Sequence, residues 1–114
     1  MHNPTNYYSE PRDPYEEKYS DYLRTFKKMR KLIDQEAGMD FDVDLLKPIT
    51  FRNRWNNGNE FLVKYEHPAG CGEEPGHNYI HAMVYRPDPS TGIAPSVPEM
   101  YTGKKKDEPF DDFM

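Results

Sequence analysis

Residues 47–65 read KPITFRNRWNNGNEFLVKY and decide the fold. Asn57-Gly58 is a strong signal for a two-residue hairpin, because both residues tolerate the positive φ that such a turn needs. After this turn, apolar and polar residues alternate from Glu60 to His67, which is typical of a strand with one buried face. Before it, Leu45 to Trp55 predicts the partner strand, and Pro48 favours a strand start or a sheet edge.

Two further strands are predicted after this hairpin. His77 to Arg86 alternates in the same way, and a weaker strand is predicted around Val97 to Thr102. A glycine- and proline-rich loop, residues 68–76, comes before them, and a turn at 87–92 separates them. Near the end of the chain, Phe110 and Phe113 lie among acidic residues and can pin this end back onto the sheet.

A long helix is predicted ahead of the strands, from Asp13 or Pro14 to about Glu36. Asp13 is a good N-cap, Pro14 fits the first helical position, and Gly38 fits the C-cap. Apolar residues recur in steps of four and three and form one stripe: Tyr15, Tyr19, Tyr22, Phe26, Met29 and Ile33. The aromatic stripe favours packing across a sheet over a short coiled coil. Residues 1–12 lack such a period and are predicted to be a flexible tail, which leaves 13–114 as the domain.

The composition limits the classes of function. The chain has 114 residues and a formal net charge of −5, so we expect one domain that repels phosphate groups and binds neither nucleic acid nor membranes. No apolar run approaches the ~20 residues of a membrane helix, and we expect no signal peptide. Cys71 is the single cysteine, which indicates a disulfide-free protein and favours a cytoplasmic location.

Candidate catalytic and metal-binding residues are few. His67, Cys71, His77 and His81 bring three histidines and the only thiol within 15 positions. Their spacing matches no standard zinc motif, and His77 and His81 would be about 13 Å apart along one strand, too far to share an ion. No third group orients a thiol-histidine pair for catalysis. We therefore expect no enzyme activity and no cofactor, while metal binding by His67, Cys71 and His77 stays open.

One long helix followed by an antiparallel meander is an α+β layout, with the helix packed across a four- or five-stranded sheet. This order resembles the cystatin superfamily. Residues 47–65 resemble the stefin segment around the QVVAG loop, and Tyr79 to Tyr85 looks like the next stefin strand, including its histidine. Residues 102–113 are similar to the stefin ending. The chain is thus similar to stefins, the type 1 cystatins, over roughly residues 43–113, with a diverged QVVAG loop.

The resemblance implies a reversible inhibitor of papain-like cysteine proteases. Family inhibitors enter the protease cleft as a wedge built from a glycine-bearing N-terminal trunk, the QVVAG hairpin and a second hairpin. By position, the first hairpin corresponds to these five residues: Arg54, Trp55, Asn56, Asn57 and Gly58. Only Gly58 keeps the family residue. The second hairpin corresponds to the turn that begins with Pro87, Asp88 and Pro89. The trunk glycine has no counterpart, because no glycine precedes Gly38.

The rewritten first hairpin leaves a second hypothesis open. Trp55 and Asn56 stand where two valines would enter an apolar cleft, and an amide buried without a partner costs about 1–3 kcal/mol. Trp55 either anchors a partner, as aromatic residues commonly do, or tucks against the second turn. We therefore expect a stefin-like inhibitor or, as the alternative, a non-inhibitory cystatin-fold module that binds another protein. We expect a monomer, with exchange of the first hairpin between two chains as the alternative.

Overall fold

The computed structural model describes residues 7–38, 42–67 and 76–113. Within these ranges the helices are α1 (Ser20–Lys28) and α2 (Arg30–Ala37), and the strands are β1 (Lys47–Trp55), β2 (Gly58–Glu66), β3 (Tyr79–Pro87) and β4 (Ser96–Lys104). The strands pair antiparallel in the order β1-β2-β3-β4, and the helices cover one face of this sheet. The predicted α+β class, a helix packed against an antiparallel sheet, is confirmed and is consistent with a cystatin-like fold.

The helix begins later than the sequence predicts. Asp13 initiates a turn instead of capping the helix: its carboxylate accepts from Tyr15 N at 2.9 Å, and its carbonyl accepts from Glu16 N at 3.3 Å. A 3₁₀ turn at Glu17–Tyr19 then leads into α1. An Asp-Pro pair suits the start of a β-turn as well as the start of a helix. The turn prevails here because Arg12, just before it, is extended and hydrogen-bonded to β1.

α1 and α2 form one nearly continuous rod. Met29 separates them, but its N–H donates to Thr25 O at 3.1 Å and its carbonyl accepts from Ile33 N at 3.0 Å, so the helical hydrogen bonds continue. Gly38 ends the rod in the left-handed region with φ 64°, which confirms the predicted C-cap. None of the helices in the described ranges has the length and apolar character needed to cross a membrane.

The core is built on aromatic side chains from both layers. Phe51 of β1 and Phe61 of β2 are fully buried, and their rings lie 5.3 and 5.0 Å from the ring of Phe26 in α1. Tyr65 of β2 is also fully buried, and its hydroxyl donates to Phe26 O at 2.7 Å. Burial raises the pKa of Tyr65, so the hydroxyl stays a neutral donor. These contacts determine how the helix lies across the sheet.

The strand register places two turns side by side at one end of the sheet. Gly58, where β2 begins, pairs with Pro87, where β3 ends. We call Arg54–Gly58 the first hairpin and Pro87–Gly92 the second hairpin, and the two together the hairpin end. β2 ends and β3 begins at the opposite end of the sheet, where Glu66 pairs with Tyr79.

Part of the predicted tail runs along the free edge of β1. Ser9 N donates to Asn53 O at 2.7 Å, and Arg12 and Phe51 exchange backbone hydrogen bonds of 2.8 and 3.0 Å. The Arg52 guanidinium also donates to Ser9 O at 2.7 Å. Residues 9–12 therefore extend the sheet by a short antiparallel segment, while residues 1–6 of the predicted tail lie outside the described residues.

Candidate functional site

The first hairpin projects one tryptophan and two asparagines from the ends of β1 and β2. Trp55 is 57% exposed, which favours the interpretation as a binding anchor over a ring tucked against the second hairpin. Trp55 pairs with Asn59, so the turn contains three residues, one more than the Asn57-Gly58 signal predicts. The φ angles of Asn57 (56°) and Gly58 (151°) are nevertheless both positive, as that signal requires.

Tyr85 of β3 determines the shape of the first hairpin. Its hydroxyl oxygen lies 2.8 Å from Asn57 O and 3.1 Å from Asn56 O, and it donates to these turn carbonyls. Gly58 permits this approach, because a Cβ there would lie only 2.8 Å from the Tyr85 hydroxyl oxygen and 2.8 Å from Arg86 O. In the sequence, Tyr85 is recognisable only as one residue of the alternating stretch from His77 to Arg86. A contact between a strand side chain and a distant turn leaves no local signal.

The hydroxyl of Tyr85 can be tested separately from its ring. We expect Tyr85→Phe to lower the free energy of unfolding by about 1 kcal/mol, because the turn carbonyls lose a donor while the packing of the ring is kept. We also expect faster amide exchange at Asn56 to Gly58. Tyr101→Phe on β4 is the matched control and should change neither quantity. Equal unfolding midpoints for the two variants in urea would contradict the role of Tyr85.

The second hairpin is a hydrogen-bonded 3₁₀ turn at Pro89–Thr91. Asp88 caps it: the carboxylate accepts from Ser90 N at 3.0 Å, and the carbonyl accepts from Thr91 N at 2.9 Å. The hydrogen bonds from Ser90 lower the pKa of the Asp88 carboxyl, so the cap is charged at neutral pH. Ile93, just beyond the turn, is 64% exposed. The second hairpin thus presents Pro89 on a constrained backbone, with Ile93 exposed just beyond it, whereas Pro87 is buried.

The N-terminal segment reaches the hairpin end as well. Tyr8 precedes the segment that runs along β1, and the Arg54 guanidinium lies over its ring at 4.5 Å. Arg54 Nε donates to Glu60 Oε2 at 2.6 Å, and the Tyr8 hydroxyl donates to the same carboxylate oxygen. Burial and the hydrogen bond to Glu60 raise the pKa of Tyr8. Arg54, predicted as part of a binding loop, is therefore half-buried and holds the N-terminal segment beside the first hairpin.

The histidines considered as metal ligands lie in different surroundings. His67 is buried just past the end of β2, and His77 Nδ1 lies 3.0 Å from Gly103 O. His81 is in the middle of β3 on the sheet face away from the helix. In the described ranges, no three His, Cys, Asp or Glu side chains are placed to hold a metal ion. Cys71 lies outside the described residues, so metal binding by His67, Cys71 and His77 stays untested.

A shallow groove lies at the opposite edge of the sheet from β1. It has a volume of about 480 Å³ and is lined by the end of α2 and by residues 97–102 of β4. Its charged lining residues are the carboxylates Glu36 and Glu99. The lining contains neither a histidine nor a lysine, so this groove offers no basic group beside the two carboxylates for acid-base catalysis.

Comparison with models of known protein families finds no match for this chain, and comparison with curated proteins finds none either. The functional conclusions therefore rest on the residues and geometry of the hairpin end.

Proposed function

We propose that the hairpin end is a wedge that reversibly inhibits papain-like cysteine proteases. The observation that supports this most is the convergence of the first hairpin, the second hairpin and Tyr8 at one end of the sheet. A wedge binds best when its contact segments are ordered beforehand, because ordering loops during association reduces affinity. The hydroxyl of Tyr85 and the carboxylate of Asp88 provide this order in the two turns.

Trp55 is the main anchor in this proposal. It combines a large apolar area with high exposure, and tryptophan is among the residue types that most often dominate binding energy at interfaces. Of the three predicted residues of the second hairpin, Asp88 and Pro89 form the neighbouring contact, because Pro87 is buried at the end of β3. Binding is non-covalent, and inhibition results from occupation of the protease cleft rather than from any reaction of this chain.

A non-inhibitory interaction module is the second candidate, and the asparagines of the first hairpin support it. Asn56 and Asn57 are exposed, and their side-chain amides need hydrogen-bond partners once they are buried. In an apolar cleft without such partners, each amide would cost about 1–3 kcal/mol. A partner with polar groups opposite the turn would satisfy both amides and would make Asn56 and Asn57 contributors to affinity.

Titration of papain distinguishes the two candidates. We expect the protein to reduce cleavage of a small peptide substrate reversibly at or below micromolar concentration. Loss of all inhibition at micromolar protein, with the fold verified by circular dichroism, would reject the inhibitor and leave the interaction module. The size of the protein in solution, measured on the same sample, separates a monomer from an exchanged dimer.

Replacement of Trp55 tests which surface makes the contact. We expect Trp55→Ala to weaken papain inhibition at least tenfold, which corresponds to about 1.4 kcal/mol of binding free energy. Leu45→Ala is the matched control, because Leu45 is a similarly exposed apolar residue that precedes β1 at its other end. An unchanged inhibition constant for Trp55→Ala would place the contact elsewhere on the protein.

A further inference from the structure

The C-terminal segment, residues 105–113, lies across the sheet face that is turned away from the helix. Lys64 of β2 is buried on this face, and its ammonium group donates to the backbone carbonyls of Lys106 and Glu108, the latter at 2.8 Å. Lys104 at the end of β4 binds the carboxylates of Glu108 at 3.0 Å and Asp112 at 2.8 Å. Two lysines of the sheet therefore hold the segment at several points along its length.

Two aromatic contacts complete the attachment and confirm the predicted pinning of this end of the chain. The ring of Phe113 lies 5.3 Å from that of Tyr101 on β4, and the ring of Phe110 lies 4.5 Å from that of His81 on β3. Phe110 is buried by this contact. Apolar ring contacts and ion pairs with lysines thus attach the segment to the sheet together.

His81 lies fully buried beneath this segment. Four charged groups face its ring: Lys64 from β2, Lys104 from β4, and Glu108 and Asp112 from the C-terminal segment. The nearest carboxylate oxygen, Asp112 Oδ2, is 3.6 Å from His81 Nδ1, beyond a good hydrogen bond. The two lysines oppose a positive charge on the imidazole, and the two carboxylates favour one.

We propose that residues 105–113 form a proton-controlled latch, which closes over neutral His81 and opens when His81 takes up a proton. A neutral imidazole packs against Phe110 as an apolar ring does. An imidazolium in the same place loses its hydration, and the Asp112 carboxylate is too far away to accept a close hydrogen bond from it, so the closed latch excludes the proton. Release of the segment returns the charged ring to water.

The direction of the effect follows from the pKa of His81. Burial, and then the charge of Lys64, lower this pKa from the ordinary 6.5 to about 4, against the opposing charge of Asp112. The closed latch is therefore fully stable above pH 6.5 and loses stability as the pH falls towards 4. Between pH 7.5 and 5.0, these two pKa values give about a 30-fold rise in the ratio of open to closed latch.

The two carboxylates that face His81, those of Glu108 and Asp112, do not titrate in this pH window. The hydrogen bond from Lys104 lowers the pKa of Glu108, and Lys104 also lowers the pKa of Asp112 although burial of that carboxyl opposes it. Both anchors to Lys104 thus remain charged at pH 5.0. Opening between pH 7.5 and 5.0 is therefore assigned to His81.

Hydrogen–deuterium exchange on the full chain tests the latch. We expect the protection of residues 105–113, measured relative to the amides of β2 and β3 in the same sample, to fall about 30-fold between pH 7.5 and 5.0. His81→Leu should abolish this change, and His77→Gln should leave it as in the wild type. Unchanged relative protection would overturn the latch. A parallel loss in β2 and β3 would overturn it too, because this would be general unfolding.

The titration of His81 by NMR provides the reciprocal test. We expect a midpoint below pH 5 in the wild type and a midpoint close to 6.5 in Phe110→Ala, which removes the cover from the ring. A wild-type midpoint near 6.5, or a midpoint that Phe110→Ala leaves unchanged, would refute the proposal. If Phe110→Ala does not fold, the hydrogen–deuterium exchange of the wild type and of His81→Leu tests the latch without it.

Discussion

Phe51→Ala should lower the free energy of unfolding by about 4 kcal/mol, because removing a fully buried aromatic ring leaves a cavity as well as losing apolar contacts. The ring of Phe51 lies within 6.0 Å of four others, those of Tyr19, Tyr22, Phe26 and Phe61. These rings belong to both layers of the fold, so the cavity cannot collapse without moving the helix against the sheet. Guanidinium denaturation followed by far-ultraviolet circular dichroism measures the loss.

Trp55→Ala is the control for Phe51, because it removes a larger ring from an exposed position. We expect it to change the free energy of unfolding by less than about 0.5 kcal/mol. Phe51→Leu should fall between the two variants, since it keeps part of the buried volume. Similar losses for Phe51→Ala and Trp55→Ala would show that the core is not centred where the aromatic contacts place it.

Gly58→Ala should destabilise the protein by about 3 kcal/mol, although it adds a single methyl group. A Cβ at this position would lie 2.8 Å from Arg86 O, 2.8 Å from the Tyr85 hydroxyl oxygen and 3.0 Å from Pro87 Cα. Two of these neighbours are backbone atoms of β3, and the φ of 151° is strained for a residue with a Cβ. The methyl group therefore forces β2 and β3 apart at the hairpin end. Thermal and urea unfolding measure the effect.

Gly92→Ala isolates the backbone part of this effect. Gly92 has φ 69°, but a Cβ there would have no neighbour within 4 Å. We expect it to cost only about 1 kcal/mol, which is the strain of a left-handed residue without a clash. If both alanine variants lose the same free energy, the close approach of Gly58 to β3 is not what requires a glycine. Gly58→Ala should also weaken any binding by the first hairpin, because the turn lies on the displaced strand.

The strand and helix patterns could be recognised in the sequence because each of them is local. Alternation from Glu60 onwards and the three- and four-residue steps of the helix are repeats within one segment, and each matches the geometry of one backbone conformation. The strands, their antiparallel order and the helical stripe from Tyr22 to Ile33 could therefore be predicted, whereas Tyr15 lies in the turn before the helix and is exposed. The predicted start of the helix was wrong, because Asp13 and Pro14 suit a turn equally well. The pairing of Arg12 with Phe51 favours the turn over the helix.

For the hairpin end, the sequence predicted which residues form the two turns but not how their side chains are arranged. The residues of both hairpins were named from the sequence, and their role as a binding surface remains a prediction. What holds them could not be read locally. The Tyr85 hydroxyl meets Asn57 O from 28 positions away, and Tyr8 meets Glu60 from 52 positions away. Neither contact has a pattern in its own segment that would indicate it.

The amino-acid sequence by itself determined which segments are helix and strand and which side chains of each are apolar, because these properties repeat over a few residues. Only the tertiary structure decided that Tyr85 and Gly58 shape the first hairpin, that Arg54 faces Tyr8 and Glu60, and that Phe110 covers His81. The physical reason is that burial and charge environment depend on neighbours from distant segments. A histidine in an alternating strand is neutral or charged according to what folds over it.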